Sequence, residues 1–328
     1  MRAQAVETLF NSLLGFNALI LEALRAPLNT YLTVAIPTHN RSHLLAQTLA
    51  SVVDLRLPEG VEAECIIIDN NSTDDTETVV ARLARYSPLK LRYVVERRQG
   101  SSFARNRAVD EAQGDFILFI DDDAIAEPTW AIEMITEMER RNLDVACGIV
   151  VPQWTIPPPR WLGPSLYVRL AVHDEERLAS CPHEQLETVH NYFSANVAFR
   201  RETFEVFGRF REDLGVVGGN PMSGEDTELF ERILQRGGVI GFVPGARVHH
   251  IIGRERMTRA YLRRKSYAFG YGSAIAGGPT HNHLDKLARN AARMAVAAMR
   301  GNLERAVYHE IECANFLGYW RGRLALRR

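Results

Sequence analysis

Three consecutive carboxylates, Asp121-Asp122-Asp123, follow the apolar run Phe116-Ile-Leu-Phe-Ile120 without a break. Like charges this close repel one another unless a cation lies among them, and hard divalent cations prefer carboxylate oxygen. A metal held there would also hold the pyrophosphate of a nucleotide. Five apolar residues fit a buried parallel strand. The C-terminal end of such a strand is where open α/β sheets bind ligands. For the triplet alone, a solvated acidic strand end is the plain alternative, so its surroundings decide.

Other apolar runs end in polar groups in the same way. One leads into Pro37-Thr38-His39-Asn40-Arg41, and a second ends at Asp69-Asn70-Asn71-Ser72. In a parallel sheet these ends share one edge and converge on one crevice. Gly100-Ser-Ser-Phe-Ala-Arg105-Asn106 opens a helix between them. Helix N-terminal amides with an arginine suit a phosphate or a nucleotide base. Further on, Glu225 and Asp226 precede Leu229, Phe230, Ile233 and Leu234. Adjacent carboxylates point in different directions, so one is free to face a reacting hydroxyl while the other anchors the loop. Each piece also has a structural reading: Asn-Asn-Ser as a turn, Arg105 as a surface ion pair, Glu-Asp as favourable charge at a helix start.

The elements that position these groups alternate from Leu32 to Val151. Strands are predicted at Leu32–Ile36, Cys65–Ile68, Leu91–Val95, Phe116–Ile120 and Val145–Val151. Helices are predicted at Ser42–Val53, Thr73–Tyr86 and Ser102–Gln113, with another starting at Pro128. This alternation predicts an α/β fold with a Rossmann-like, mostly parallel central sheet flanked by helices and joined by right-handed crossovers. Beyond Pro152 the pattern changes. Pro157-Pro158-Pro159 with Trp154 and Trp161 marks a rigid loop, either a connector or the wall of an acceptor pocket. Strands follow at Asn196–Arg200 and Val239–Val243, with a helix at Glu225–Gln235. From about Thr258 the chain reads as helical. The expected organisation is an amphipathic helical extension over 1–30, a catalytic domain over 31–257 and a helical region over 258–328. The catalytic domain divides into a nucleotide-binding half, 31–151, and an acceptor-binding half, 152–257.

The 328 residues, 46% hydrophobic, are ample for a full core. A net charge of −1 gives no global electrostatic case for nucleic-acid binding. From His281 onward, however, nine Lys/Arg face four Asp/Glu. Cys65, Cys147, Cys181 and Cys313 are scattered without metal-ligand spacing and read as reduced thiols of a cytoplasmic protein. No apolar run reaches the ~20 residues needed to span a bilayer. The N-terminus lacks a signal-peptide layout, with Glu7 and Asn11 interrupting its apolar residues. Leu9, Phe10, Leu13, Leu14, Phe16, Leu19, Ile20, Leu21 and Leu24 still form a broad apolar helical face. That face suits packing on the domain, a second subunit in a homodimer, or the inner surface of the cell membrane.

Taken in order, the pieces resemble the family-2 glycosyltransferases of the GT-A fold. The matching segments are Val34-Ala-Ile-Pro-Thr-His-Asn-Arg41, Ile67-Ile-Asp-Asn-Asn-Ser-Thr-Asp74, Ala104-Arg-Asn-Arg-Ala108 and Gly114–Asp123. Ala195–Arg201, Gly224–Leu229 and Pro244–His249 continue the match. The resemblance implies inverting transfer from a nucleotide-diphosphate sugar, a UDP-sugar first, to a saccharide or lipid-linked saccharide hydroxyl, with Mn²⁺ or Mg²⁺. It also implies a setting in bacterial cell-surface polysaccharide or glycolipid assembly. Carried over residue by residue, it makes Pro37, Thr38, Asn40, Arg41, Asp69, Asn71, Arg105, Asp121 and Asp122 the donor-binding set. Asp69 would meet the base, with Arg105 beside it. Asp121 and Asp123 form the D-x-D element, and with three aspartates in a row the ligating pair stays open. His249 would complete the metal site, with adjacent His250 the alternative. Asp226 would be the general base and Glu225 its neighbour in the catalytic pair.

Two rival classes remain to be weighed. A Rossmann dehydrogenase lacks its glycine fingerprint after the first strand, and no Walker loop appears, which leaves a nucleotidyltransferase as the enzymatic rival. A non-catalytic scaffold has no use for charges as costly as those of Asp121, Asp123 and Asp226.

Overall fold

The computed structural model describes residues 30–180, 192–216, 223–278 and 283–327. The expected N-terminal extension and Cys181 lie outside the described residues. The other three cysteines are unpaired thiols, Cys65 and Cys147 in the core and Cys313 partly buried.

One eight-stranded sheet organises the chain. Its strands are β1 (Thr30–Thr38), β2 (Val61–Asp69), β3 (Lys90–Val95), β4 (Phe116–Ile120), β5 (Ala124–Ala126), β6 (Val145–Trp154), β7 (Asn196–Arg200) and β8 (Ile240–Ile252). They lie in the order β3-β2-β1-β4-β7-β6-β8-β5. β1, β2, β3 and β4 pair in parallel, as expected. β7 enters antiparallel between β4 and β6, and β5 pairs antiparallel with β8, so the second half is mixed. The sheet runs unbroken through the 151/152 division, which falls inside β6.

The core follows from the two-residue period of a strand buried on both faces. Leu32, Val34 and Ile36 enter one apolar cluster with the helices Ser42–Val53 and Trp130–Arg141. Ala35, Ile66, Ile68, Ile117 and Phe119 enter the other, beneath the helices Ser101–Glu111 and Glu225–Gln235. Phe119 meets Phe199 and Phe210 edge to face at 5.9 and 6.0 Å. Truncating such a buried ring to Ala costs about 3–5 kcal/mol.

Several predicted elements lengthen. β2 begins at Val61, and β8 runs to Ile252 despite Pro244. A proline cannot donate to a ladder, and here it sits in a bulge. Gly148 pairs with Val243, but Ile149 pairs with Arg247, so Pro244-Gly245-Ala246 loop out of register. Asn196 fastens the bulge: its Nδ2 donates to Ile149 and Ala246 carbonyls at 2.7 and 3.0 Å, and its Oδ1 accepts from Trp130 Nε1 at 2.7 Å. β5 was missed in the sequence because three residues carry no readable period.

Three helices, Arg259–Ile275, His283–Met299 and Leu303–Ala325, follow the sheet. Thr258 caps the first of them, its hydroxyl accepting from the Tyr261 amide. Leu262, Val307 and Ile311 tie the first and last to the core. Gly272 allows the first helix to lie against the chain just before Glu225, since a Cβ there would come within 1.9 Å of the Ser223 carbonyl oxygen. The last helix holds the short helical turn Pro164–Leu170 that follows the proline-rich loop: Glu304 accepts from Ser165, and Glu312 pairs with Arg169 at 2.5 Å. Among the described residues no helix is long and apolar enough to cross a membrane.

Candidate active site

Register brings the polar strand ends together. β1 pairs Thr38 with Asp69 of β2, and pairs Ala35 with Phe119 of β4. Three residues beyond that last pair, Thr38 faces Asp122, and its hydroxyl donates to Asp122 Oδ2 at 2.8 Å. Pro37, the residue before, pairs with Ile68. Arg41, at the start of the next helix, donates through Nη1 to Asp122 Oδ1 and Asp123 Oδ2, both at 3.0 Å. Burial, with the charge of Asp123, outweighs Arg41 and Thr38 and pushes Asp122 up to about 6. Burial would also raise Asp123, but His250, Arg256 and Arg41 hold it far below the usual carboxylate range.

The turns after β1 and β2 interlock. Asn40 and Asn71 both adopt left-handed backbone (φ +53° and +65°), which asparagine tolerates well. The Asn40 amide donates to Ser72 Oγ at 2.9 Å, and Asn40 Oδ1 accepts from the Thr73 amide at 2.7 Å. Asp69 is buried; it accepts from the Ser72 amide at 2.9 Å and from the Tyr93 hydroxyl. Asn71 is exposed, whereas Asn70 does the structural work. Asn70 accepts from the Gly100 amide at 2.7 Å and donates to the carbonyls of Glu96 and Arg98.

Arg105, expected beside the nucleotide base, makes its side-chain contacts away from Asp69. Its buried guanidinium reaches the other half of the crevice, donating to Glu225 Oε1 at 2.7 Å and Ser194 Oγ at 3.0 Å, with Asp121 Oδ1 at 3.4 Å. No sequence signal announced Ser194; Ser101, within the segment that opens the helix before Arg105, donates to the same Glu225 oxygen at 2.8 Å.

Gly224 takes a positive φ of 109° and turns the chain into the helix that begins at Glu225. Glu225 is buried, and both of its oxygens are engaged, by Arg105 and Ser101 and by the Gly224 amide. Burial disfavours its charge, but Arg105 outweighs that and keeps its carboxyl below the usual range. Asp226 is only half-buried. It accepts from the Thr227 amide at 2.8 Å and Ser194 Oγ at 3.0 Å. Burial first, and then the Glu225 charge, push Asp226 upward. Of the two, Asp226 is the more exposed.

A second expectation is corrected at the histidines. His249 pairs with Ile125 and His250 with Ala124 across β5 and β8, so their side chains take opposite faces. His249 Nε2 meets Glu127 at 3.1 Å, away from the aspartates. His250 is buried with Nε2 3.1 Å from Asp123 Oδ1. The bulge at Pro244 resets the alternation of β8, which is why sequence could not choose between them. Among the described residues no three His, Cys, Asp or Glu side chains are grouped to hold a metal by themselves.

The profile of "Glycosyl transferase family 2" matches residues 33–208, more than half of the chain. The chain belongs to that family. As a family-2 glycosyltransferase it is 26% identical over 241 residues to the succinoglycan biosynthesis protein ExoM of Rhizobium meliloti, covering 73% of each chain. It is 28% identical over 180 residues to the glucosyl-dolichyl phosphate glucuronosyltransferase of Haloferax volcanii, covering 54% of this chain and 56% of that one. Among solved structures it resembles the mannosyltransferase PcManGT of Pyrobaculum calidifontis, in complex with GDP-Man and Mn²⁺. That likeness has a TM-score of 0.61 at 19% identity, over 91% of this chain and 88% of the other. It carries the fold, and the fold is GT-A.

Proposed function

We propose that this glycosyltransferase moves a sugar from a nucleotide-diphosphate sugar to an acceptor hydroxyl with inversion, and that Asp226 is the general base. The observation that carries this reading is the reach of Arg105. One guanidinium touches Asp121, Glu225 and Ser194, and Ser194 in turn touches Asp226. This relay of contacts links the donor aspartates to the candidate base through one guanidinium and one hydroxyl.

In this reading the interlocked turns at Asn40–Arg41 and Asp69–Asn71 hold the nucleoside, and Asp121 and Asp122 hold the ribose and diphosphate side. Asp226 takes the acceptor proton as the hydroxyl oxygen bonds to the anomeric carbon. The bond from that carbon to the diphosphate breaks on the opposite face, and the electron pair leaves with the diphosphate. Arg105 keeps Glu225 ionised and fixed, so its negative charge keeps Asp226 basic.

The residues present fit a divalent cation. Asp123 Oδ1 is buried without a hydrogen bond and faces His250 Nε2 at 3.1 Å. A carboxylate oxygen and an imidazole suit Mn²⁺ or Mg²⁺, which complete their shells with substrate phosphate and water. The bound ion would neutralise charge on the leaving diphosphate.

Saccharide or lipid-linked acceptors, in cell-surface polysaccharide or glycolipid synthesis at the cytoplasmic face of the membrane, fit the relatives named above. Exposed Leu317, Trp320 and Leu324 lie on one side of the last helix, with Arg321 and Arg327 beside them. An apolar stripe flanked by cations complements an anionic lipid surface. The test is a screen of UDP- and GDP-sugars with Mn²⁺, reading nucleoside diphosphate release with and without glycan acceptors. Release from at least one donor is expected. No release from any donor, with pyrophosphate formed from a nucleoside triphosphate instead, would favour a nucleotidyltransferase.

A further inference from the structure

The contacts around Asp123 cannot all be favourable at once. Arg256 Nη2 donates to Asp123 Oδ2 at 2.5 Å, and Arg256 Nη1 lies 2.8 Å from His250 Nε2. A guanidinium has only donors, so the Arg256 contact is favourable only if His250 Nε2 presents its lone pair to it. That lone pair then also faces Asp123 Oδ1 at 3.1 Å, an acceptor with no hydrogen bond of its own. If the imidazole instead carries its proton on Nε2, Oδ1 gains a donor, but two N–H groups collide at 2.8 Å. A doubly protonated ring collides in the same way. His250 Nδ1 is buried and also without a partner, so nothing on that side selects a tautomer. A cation between Oδ1 and Nε2 would satisfy both lone pairs, but only once the guanidinium has withdrawn.

Arg256 is partly buried. It sits in the turn between β8 and the helix Arg259–Ile275, closed by the Arg256 amide on the Gly253 carbonyl and the Met257 amide on the Arg254 carbonyl. Arg254 and Glu255 are exposed, while Met257 anchors the turn in the core. Arg41 remains on Asp122 and Asp123 when Arg256 leaves.

We propose that Arg256 is a resident counter-cation of the aspartate cluster, which a divalent metal displaces and which then moves onto the diphosphate of the donor. The proposal rests on the metal-assisted reading above. In the free enzyme Arg256 neutralises Asp123 and holds the cluster together. On loading, its positive charge is handed from carboxylate to phosphate, so metal and donor enter as a linked pair. Arg256 is in this sense a positioning residue that couples the two binding events.

Removing a competitor must tighten metal binding, whereas damage to a structural support would weaken it. If the latched form holds about nine molecules in ten, Arg256→Gln raises the apparent Mn²⁺ affinity about tenfold. The experiment titrates Mn²⁺ into the full-length protein without nucleotide, following the electron paramagnetic resonance signal of free Mn²⁺. It then measures UDP affinity at saturating Mn²⁺ by calorimetry. The expected result is opposite signs: Mn²⁺ tighter by about tenfold and UDP weaker by several-fold. Arg256→Lys, which keeps the charge but loses the two-pronged grip, should fall between. If wild type binds Mn²⁺ and Arg256→Gln binds it equally or less well, the exchange is refuted while the metal reading survives. If neither protein binds Mn²⁺, the metal reading and the exchange fall together. If only Arg256→Gln binds it, Arg256 is a permanent replacement for the metal, and the exchange is refuted.

Discussion

Replacing Arg105 with methionine removes the charge at the centre of the crevice while keeping most of the side-chain volume. Glu225 is then a buried carboxylate without its cation, retaining Ser101 and the Gly224 amide. Removing one partner of a buried ion pair typically costs about 3–5 kcal/mol, because the other charge is left uncompensated. Arg105→Met is expected to lose about that much at pH 7 in urea unfolding. Adding Glu225→Gln should recover a large part of the loss, since the orphaned charge is gone. The pH dependence gives a sharper check. In wild type the Glu225 carboxyl lies below its usual value. Its contribution is complete above the unfolded value of about 4.3 and is lost as pH falls through the folded value. Without Arg105, burial outweighs the remaining hydrogen bonds and Lys265 and raises it. The native state then holds a proton that the unfolded chain has released, so stability falls as pH rises above about 4.3. The difference between wild type and Arg105→Met should therefore widen from pH 5 to 7, by up to about 1.4 kcal/mol per pH unit. A cost under about 1 kcal/mol, or a difference that does not change with pH, would refute the picture of Arg105 as the counter-ion of Glu225.

Three further outcomes follow from the geometry. Asp69→Ala should weaken nucleoside diphosphate binding about tenfold or more with little change in fold, because Asp69 closes a strand end; unchanged UDP affinity would remove it from the donor site. His250→Ala should weaken Mn²⁺ binding and transfer by about 10–100-fold, whereas His249→Ala should leave both nearly intact; the reverse order would restore His249 to the site. Trp320→Ser with Leu317→Ser should abolish co-sedimentation with anionic vesicles at low salt and spare transfer to a soluble acceptor. Vesicle binding unaffected by the pair would return that stripe to another role.

Much of this was legible in the sequence where local signals were strong. Phe116–Ile120, Asn196–Arg200, Ser42–Val53 and Glu225–Gln235 have the bounds their apolar periods and flanking residues indicate. The polar strand ends followed from parallel pairing alone. What was not legible depends on residues far apart in the chain or on local irregularity. Arg105 and Glu225 are separated by 120 positions, so their pairing comes from how the two halves close, not from any pattern near either. The parity of His249 and His250 is set by a bulge that looked like the end of a strand. Asn196, part of a motif that suggested chemistry, braces that bulge and the Trp130 indole instead.

The most direct test of the account is Asp226→Asn. The substitution keeps shape and removes basicity; its amide oxygen still accepts from Thr227, while its Nδ2 turns a donor toward Ser194 Oγ. Donor and Mn²⁺ affinities should be unchanged, and single-turnover transfer should fall by about 10²–10⁴. In wild type, transfer should decline on acidification at a higher pH than an ordinary carboxylate would give, because the Asp226 carboxyl is raised. Glu225→Gln should cost less, acting through the placement of Asp226. Near wild-type transfer by Asp226→Asn, alongside an inactive Glu225→Gln, would move the base to Glu225 and contradict the central claim.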